Sequence, residues 1–238
     1  MAGAALADAA RRMKRFWKEA TTDGRTIALD GRPVRTPGRN ELALPTPSLA
    51  EAIAAEWRIA GDDVDPRAMP LTGIANAAID IVAPDPTAFL APLAAYAETD
   101  LLAYRADGPE SLVEAQAESW DPLLVWARAR YDIHVETVPG ILHKPQPPAT
   151  IARLGEALAA YSPFHLAALS PLVTIGGSLI AALAIAEEAF SADSIWAAVN
   201  LDALWQEARW GADELAAKAR AAHRVDFDSA ARFLALLS

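Results

Sequence analysis

The sequence predicts an α+β protein. A small αβ N-terminal domain over residues 1–85, built on a short-stranded antiparallel sheet, is followed by a larger all-helical C-terminal domain over residues 86–238. Three observations carry this reading. Short apolar stretches punctuated by turn residues crowd the first third of the chain. Helical periodicity dominates after about Pro86. Apolar residues make up 53% of the 238 residues, enough to bury a core in both parts and too many for a disordered chain.

The elements follow in order. Residues 26–29 read as a strand. Asp30 and Gly31 come next, a pair suited to a tight type I′ turn because both central positions need positive φ. Residues 32–35 form the return strand, and Pro33 marks it as an edge. Residues 41–44 are a third strand, and Phe16 and Trp17 begin another. Ser48 and Glu51 have the spacing of a capping box. The helix they open carries Leu49, Ile53, Trp57 and Ala60 on one stripe and ends at Gly61. A second helix starts near Pro70 and turns Leu71, Ala75, Ala78 and Val82 inward.

Beyond residue 86, helices are expected over 86–99, 110–130, 149–160, 176–190, 192–210, 212–222 and 227–237. Residues 133–138 are the one strand-like stretch there, and residues 139–148 form a rigid, Pro-rich extended connector. The apolar run 172–186 is interrupted by Gly176, Gly177 and Ser178 and falls short of the roughly 20 residues that span a bilayer. It reads as a buried core helix, with no stable membrane insertion.

Charge and chemistry narrow the function. The formal net charge is −10, so no domain-wide basic surface exists to neutralise nucleic-acid phosphates. The dense basic stretch of Arg11, Arg12, Lys14, Arg15 and Lys18 reads as a solvated helix face. The absence of cysteine removes disulfides, thiol nucleophiles and cysteine zinc sites. His134, His143, His165 and His223 lack metal-ligand spacing. Gly176, Gly177 and Ser178 read as a helix start of small residues, with an anion site as the lesser alternative. Asp62, Asp63 and Asp65 read as a solvated loop. No motif calls for a cofactor and no catalytic constellation stands out, which favours a protein that works by binding another protein. An enzyme with an active site scattered along the sequence is the alternative.

Residues 202–211 are the segment that stands out. At 100° per residue Ala203, Glu207 and Trp210 share one helix face, with Gln206 beside it, and Trp196 and Asn200 extend that face toward the N-terminus. One reading is a protein-binding hot spot, since aromatic anchors bury much area at low entropic cost. The other is that the tryptophans are core and Glu207 is a solvated helix charge.

Several blocks together resemble a known family. They are RFWKEA (15–20), LDGRPVRTPGRNELALPT (29–46), AIAAEW (52–57), MPLTGIANAAID (69–80), YAETDLLAYR (96–105), WDPLLVWA (120–127), GGSLIAALA (176–184) and LWQEARWG (204–211). In this order they are similar to the ATP synthase assembly chaperones that handle the alpha subunit of the catalytic head. The resemblance implies a small αβ N-terminal domain, a helical C-terminal domain, and a non-enzymatic, cofactor-free protein. It implies binding to the unassembled alpha subunit and shielding of the surface destined for the beta subunit. It carries the family's important acidic residue onto Glu207, with Gln206 and Trp210 as motif companions. The expected setting is the cytoplasm of a bacterium, or the mitochondrial matrix for a eukaryotic mature form, with the chaperone a monomer.

Overall fold

The structure, a computed structural model, describes residues 13–140 and 142–238. Met13–Lys14 (β1) pairs antiparallel with Asp63–Val64 (β5). Ala20–Thr22 (β2), Ile27–Leu29 (β3) and Arg32–Pro33 (β4) form a three-stranded antiparallel sheet in that order. The predicted turn is present: Asp30 has φ 47° and Gly31 φ 77°. The Asp30 carboxylate also accepts the amides of Lys18 and Glu19, which binds the turn to the incoming chain. Pro33 lies on the edge strand, where its missing N–H costs no ladder bond.

Four local expectations in this region are corrected. Residues 41–44 make no strand; they run beside the hairpin through an isolated Arg35–Glu41 bridge and amides donated to the Val34 and Arg25 carbonyls. Phe16 and Trp17 begin no strand either. Trp17 is instead buried, its ring 5.1 Å from that of Trp57 and its Nε1 donating to the Trp57 carbonyl. The basic stretch is not a solvated helix face where it is described. Lys14 lies in β1 and pairs with Asp63, and Arg15 donates to the Trp17 and Ala60 carbonyls. Arg11 and Arg12 lie outside the described residues. Finally, helix Pro47–Ile59 (α1) is capped by Thr46, whose hydroxyl accepts the Leu49 amide, and not by Ser48. Pro47 explains the difference, because proline is pre-organised for the first helical position and so places the cap at Thr46, two residues before Ser48. Glu51 pairs with Arg58 instead.

The stripe on α1 is as expected for Leu49, Ile53 and Trp57, which are all buried. So is the inner face of Pro70–Ala77 (α2) and its π-helical extension Ala78–Val82, where Leu71, Ala75, Ala78 and Val82 are buried. The sheet packs on α1, while α2 packs on helices of the second half.

That half contains Pro86–Ala94 (α3), Glu110–Tyr131 (α4), Pro148–Ala159 (α5), Pro163–Gly176 (α6), Leu179–Ala186 (α7), Ala192–Val199 (α8), Leu201–Trp210 (α9) and Glu214–Ala235 (α10). The apolar run 172–186 is not one helix. Gly177, at φ 66°, ends α6 in a left-handed cap and α7 restarts behind Ser178. Every residue from 179 to 185 is buried, so α7 is the central rod of the bundle. The stretch 192–210 breaks at Asn200, whereas 212–222 and 227–237 merge into α10. Of residues 133–138 only Val138 enters a strand, Val138–Pro139 (β7), which pairs in parallel with Tyr104–Arg105 (β6). The Pro-rich connector carries no helix among its described residues up to Pro147. Buried Gln146 pins it by accepting the Glu136 amide and donating to the Glu136 carbonyl.

One continuous apolar cluster joins the sheet, α1, α2, α3, the helices from α4 to α8, and α10, while α9 adds only half-buried Leu201 against it. Among the described residues no single helix is long and apolar enough to cross a membrane.

Candidate functional site: a projecting helical hairpin

The blocks singled out in the sequence meet one another in space. Asp100, in the block 96–105, places its fully buried carboxylate at the start of α7, where Oδ2 accepts the Ile180 amide at 3.0 Å and Oδ1 accepts that of Leu102 at 3.1 Å. The helix start at Gly176, Gly177 and Ser178 is therefore an anion site already filled by the protein's own carboxylate. Burial pushes the Asp100 carboxyl up, and the hydrogen bonds from Ile180, Ser178, Leu102 and Leu179 pull against it. Arg105 lies over the Trp120 ring at 5.3 Å and pairs with Asp121 at 2.7 Å, joining the block 96–105 to the block 120–127. Trp120 in turn donates its Nε1 to the Ala198 carbonyl at 2.8 Å.

Titratable side chains collect around a cavity of about 630 Å³ lined by Arg130, Tyr131, Arg153, Tyr161 and Glu187. They satisfy one another: Glu187 accepts from both Arg130 and Tyr131, and Arg153 binds Asp132. Burial pushes the Tyr161 hydroxyl up to about 12, so it stays protonated at neutral pH.

The segment 202–211 has a different character. No residue of α9 is buried, and the first half of α10 is largely exposed; the two helices form an exposed helix–turn–helix hairpin, linked by the Glu207–Arg220 pair, in which α9 rests on α4. Few core contacts hold α9; polar fastenings do. Gln116 Nε2 donates to Asp202 at 2.8 Å, and Arg209 donates to Ser111 at 2.7 Å while stacking 4.0 Å over the Trp205 ring. The Gly211 amide closes the helix on the Glu207 carbonyl, and Asp213 caps α10.

The reading of this segment as core tryptophans beside a solvated charge needs correction. Trp210 is not core: it is 74% exposed and meets Trp205 edge-to-face at 5.8 Å. Glu207 is not a free surface charge, because it accepts from Arg220 at 2.5 Å and the two side chains are only 20% and 19% exposed. Gln206 is exposed beside them. Trp196 does not continue the face, since the helix breaks at Asn200 and Trp196 packs on Phe227 under Arg224. Sequence reasoning missed Arg220, which holds Glu207, and the exposed Leu204 and Leu215 on the same two helices. A leucine on an exposed helix face leaves no periodic signal to distinguish it from core, and Arg220 lies on the following helix.

A small antiparallel sheet leads into a helical bundle, and α9 and the start of α10 turn large apolar side chains outward. Comparison with known proteins is specific. The ATP12 chaperone protein family model matches residues 14–128. The mitochondrial protein atp12 of Schizosaccharomyces pombe is 28% identical over 230 residues, spanning 90% of this chain and 77% of that protein. The crystal structure of Atp12 from Paracoccus denitrificans superposes with a TM-score of 0.89 at 42% identity, covering 94% of this chain and 98% of that one. A proposed chaperone from Agrobacterium tumefaciens gives 0.90 at 37% identity, covering 95% and 87%. The chain belongs to the ATP12 chaperone family. The family match ends before α9, so the hairpin residues rest on their own geometry.

Proposed function

We propose that this chaperone binds the unassembled alpha subunit of ATP synthase, shields its subunit interface and promotes assembly of the catalytic head. The observation that carries the proposal is the hairpin. Trp210 and Leu215, at 74% and 80% exposure, flank its turn, and Leu204 adds to them on α9. Large apolar side chains grouped on an exposed element mark an interaction surface, and membership of a chaperone family supports a protein partner for it. Glu207, Gln206 and Trp210 belong to this client-binding element. The protein acts as a monomer without cofactor or catalytic step, in the bacterial cytoplasm or, for a eukaryotic form, the mitochondrial matrix.

The physical logic is exchange. A free alpha subunit exposes apolar interface that invites aggregation. A hairpin of this size covers part of it with modest affinity, and the beta subunit displaces the chaperone through a larger, better-packed interface. The test is light scattering on purified alpha subunit with and without the chaperone, followed by gel filtration. Suppressed aggregation with co-elution supports the reading; scattering unchanged by a stoichiometric excess of folded chaperone overturns it.

A further inference from the structure

Glu207 is fastened at both ends. Its carbonyl accepts the Gly211 amide that closes α9, and its carboxylate accepts from Arg220, thirteen residues on and in the next helix. Both charged groups are about four-fifths shielded from water. Other ion pairs of the molecule, such as Arg58 with Glu51 and Arg153 with Asp132, leave at least one partner well exposed. A carboxylate so placed already holds a cation, and exchanging Arg220 for another would leave that guanidinium shielded and unpaired. The cation that Glu207 meets is already on its own chain.

The pair also sits where leverage is greatest. α9 buries no residue, so its angle to α10 depends on a few polar links. Asp202 and Arg209 tie it to α4 through Gln116 and Ser111, and Arg220 ties it to α10. Trp210 follows Glu207 by three residues on the same face, and Leu215 opens α10 on the other side of the turn. Trp210 and Leu215 flank the turn between the two helices, so the angle between α9 and α10 sets the distance between them.

Building on the client-binding reading above, we propose that Glu207 is a positioning residue. It acts through Arg220 to hold α9 against α10, so that Trp210 and Leu215 are presented as one surface. The contact with the client is apolar, and the charge pair sets its geometry.

Hydrogen exchange of the α9 amides in the full chain, without client, tests this. Glu207→Lys and Arg220→Glu should each speed exchange over residues 203–210 by about tenfold, with the amides of α7 unaffected. The double variant, which restores the pair with its charges swapped, should recover most of the protection. In gel filtration with purified alpha subunit, co-elution should fall in each single variant and return in the double. Single variants with wild-type exchange would overturn the positioning role whether or not the client binds. A double variant that regains protection yet fails to bind would overturn it too, by making Glu207 a direct contact while leaving the chaperone reading intact.

Discussion

Glu56 and Thr72 are bonded twice: one carboxylate oxygen, Oε2, accepts the Thr72 amide at 2.8 Å and its hydroxyl at 2.7 Å. The other oxygen accepts the Leu71 amide at 2.8 Å. The N-cap position of α2, Met69, offers no side-chain acceptor, so a carboxylate from α1 caps α2 from outside. Glu56 lies in the block 52–57 and Thr72 in the block 69–80. These family-like blocks are therefore the two halves of one buried contact.

Replacing Glu56 by Ala leaves two amides and a hydroxyl buried without an acceptor. We expect a loss of about 2–4 kcal/mol in urea unfolding, with Glu56→Gln recovering part of it. A loss below about 0.5 kcal/mol, the range of an ordinary surface change, would show that water replaces the carboxylate.

Gly38 is required by Asp80. A Cβ at position 38 would lie 2.7 Å from Asp80 Oδ1, and the Gly38 amide donates to Oδ2 at 2.7 Å. Gly38→Ala should therefore cost about 1–3 kcal/mol by forcing the carboxylate from its seat. It should also change acid sensitivity. Burial opposes ionisation of Asp80, but hydrogen bonds from Thr36, Asn40 and Gly38 outweigh it and hold its carboxyl below the ordinary aspartate value. A folded value below the unfolded one gives stability that is present above about pH 4 and lost as pH falls through the folded value. Unfolding midpoints between pH 5 and 3, taken at about unit intervals, should fall less steeply in Gly38→Ala than in wild type.

Asp100 should respond in the opposite sense. Burial raises its folded value above the unfolded one, so its contribution is full below about pH 4 and declines as pH rises through the folded value. The stability advantage of wild type over Asp100→Asn should accordingly shrink from acid toward neutral pH. An advantage that grows over that range would show that the donated hydrogen bonds outweigh burial at this site.

Trp210→Ala touches no core packing and should leave thermal stability within about 0.5 kcal/mol of wild type. If the hairpin is the client surface, the same change should weaken alpha-subunit binding by about 10- to 100-fold, as truncation of an aromatic anchor does. Titration calorimetry against purified alpha subunit reads this directly.

Local chemistry made parts of this molecule legible from sequence. Asp30 and Gly31 announce their turn because few residue pairs tolerate positive φ twice, and Leu71, Ala75, Ala78 and Val82 keep helical period through the π-helical extension. The helix start behind Gly176, Gly177 and Ser178 was legible, but helix α6 before it was not, because it is apolar on most sides and carries Pro171 inside, which leaves little helical phase to read. Strands β1 and β5 are two residues each, too short to alternate. In the hairpin, the tryptophans of 204–211 drew notice by composition. Their exposure did not show, because helix periodicity identifies a face without saying what covers it. The Glu207–Arg220 pair depends on how two helices are set across a turn, which no spacing within either one encodes.

The most direct test of the account is photocrosslinking to purified, unassembled alpha subunit from single sites on the chaperone surface. Photoreactive side chains at positions 210 and 215 should crosslink to the alpha subunit, while one at exposed Ile59, at the end of α1, should not. Crosslinking from position 59 but from neither hairpin site, or from no site at all, would contradict the hairpin as the surface that receives the client.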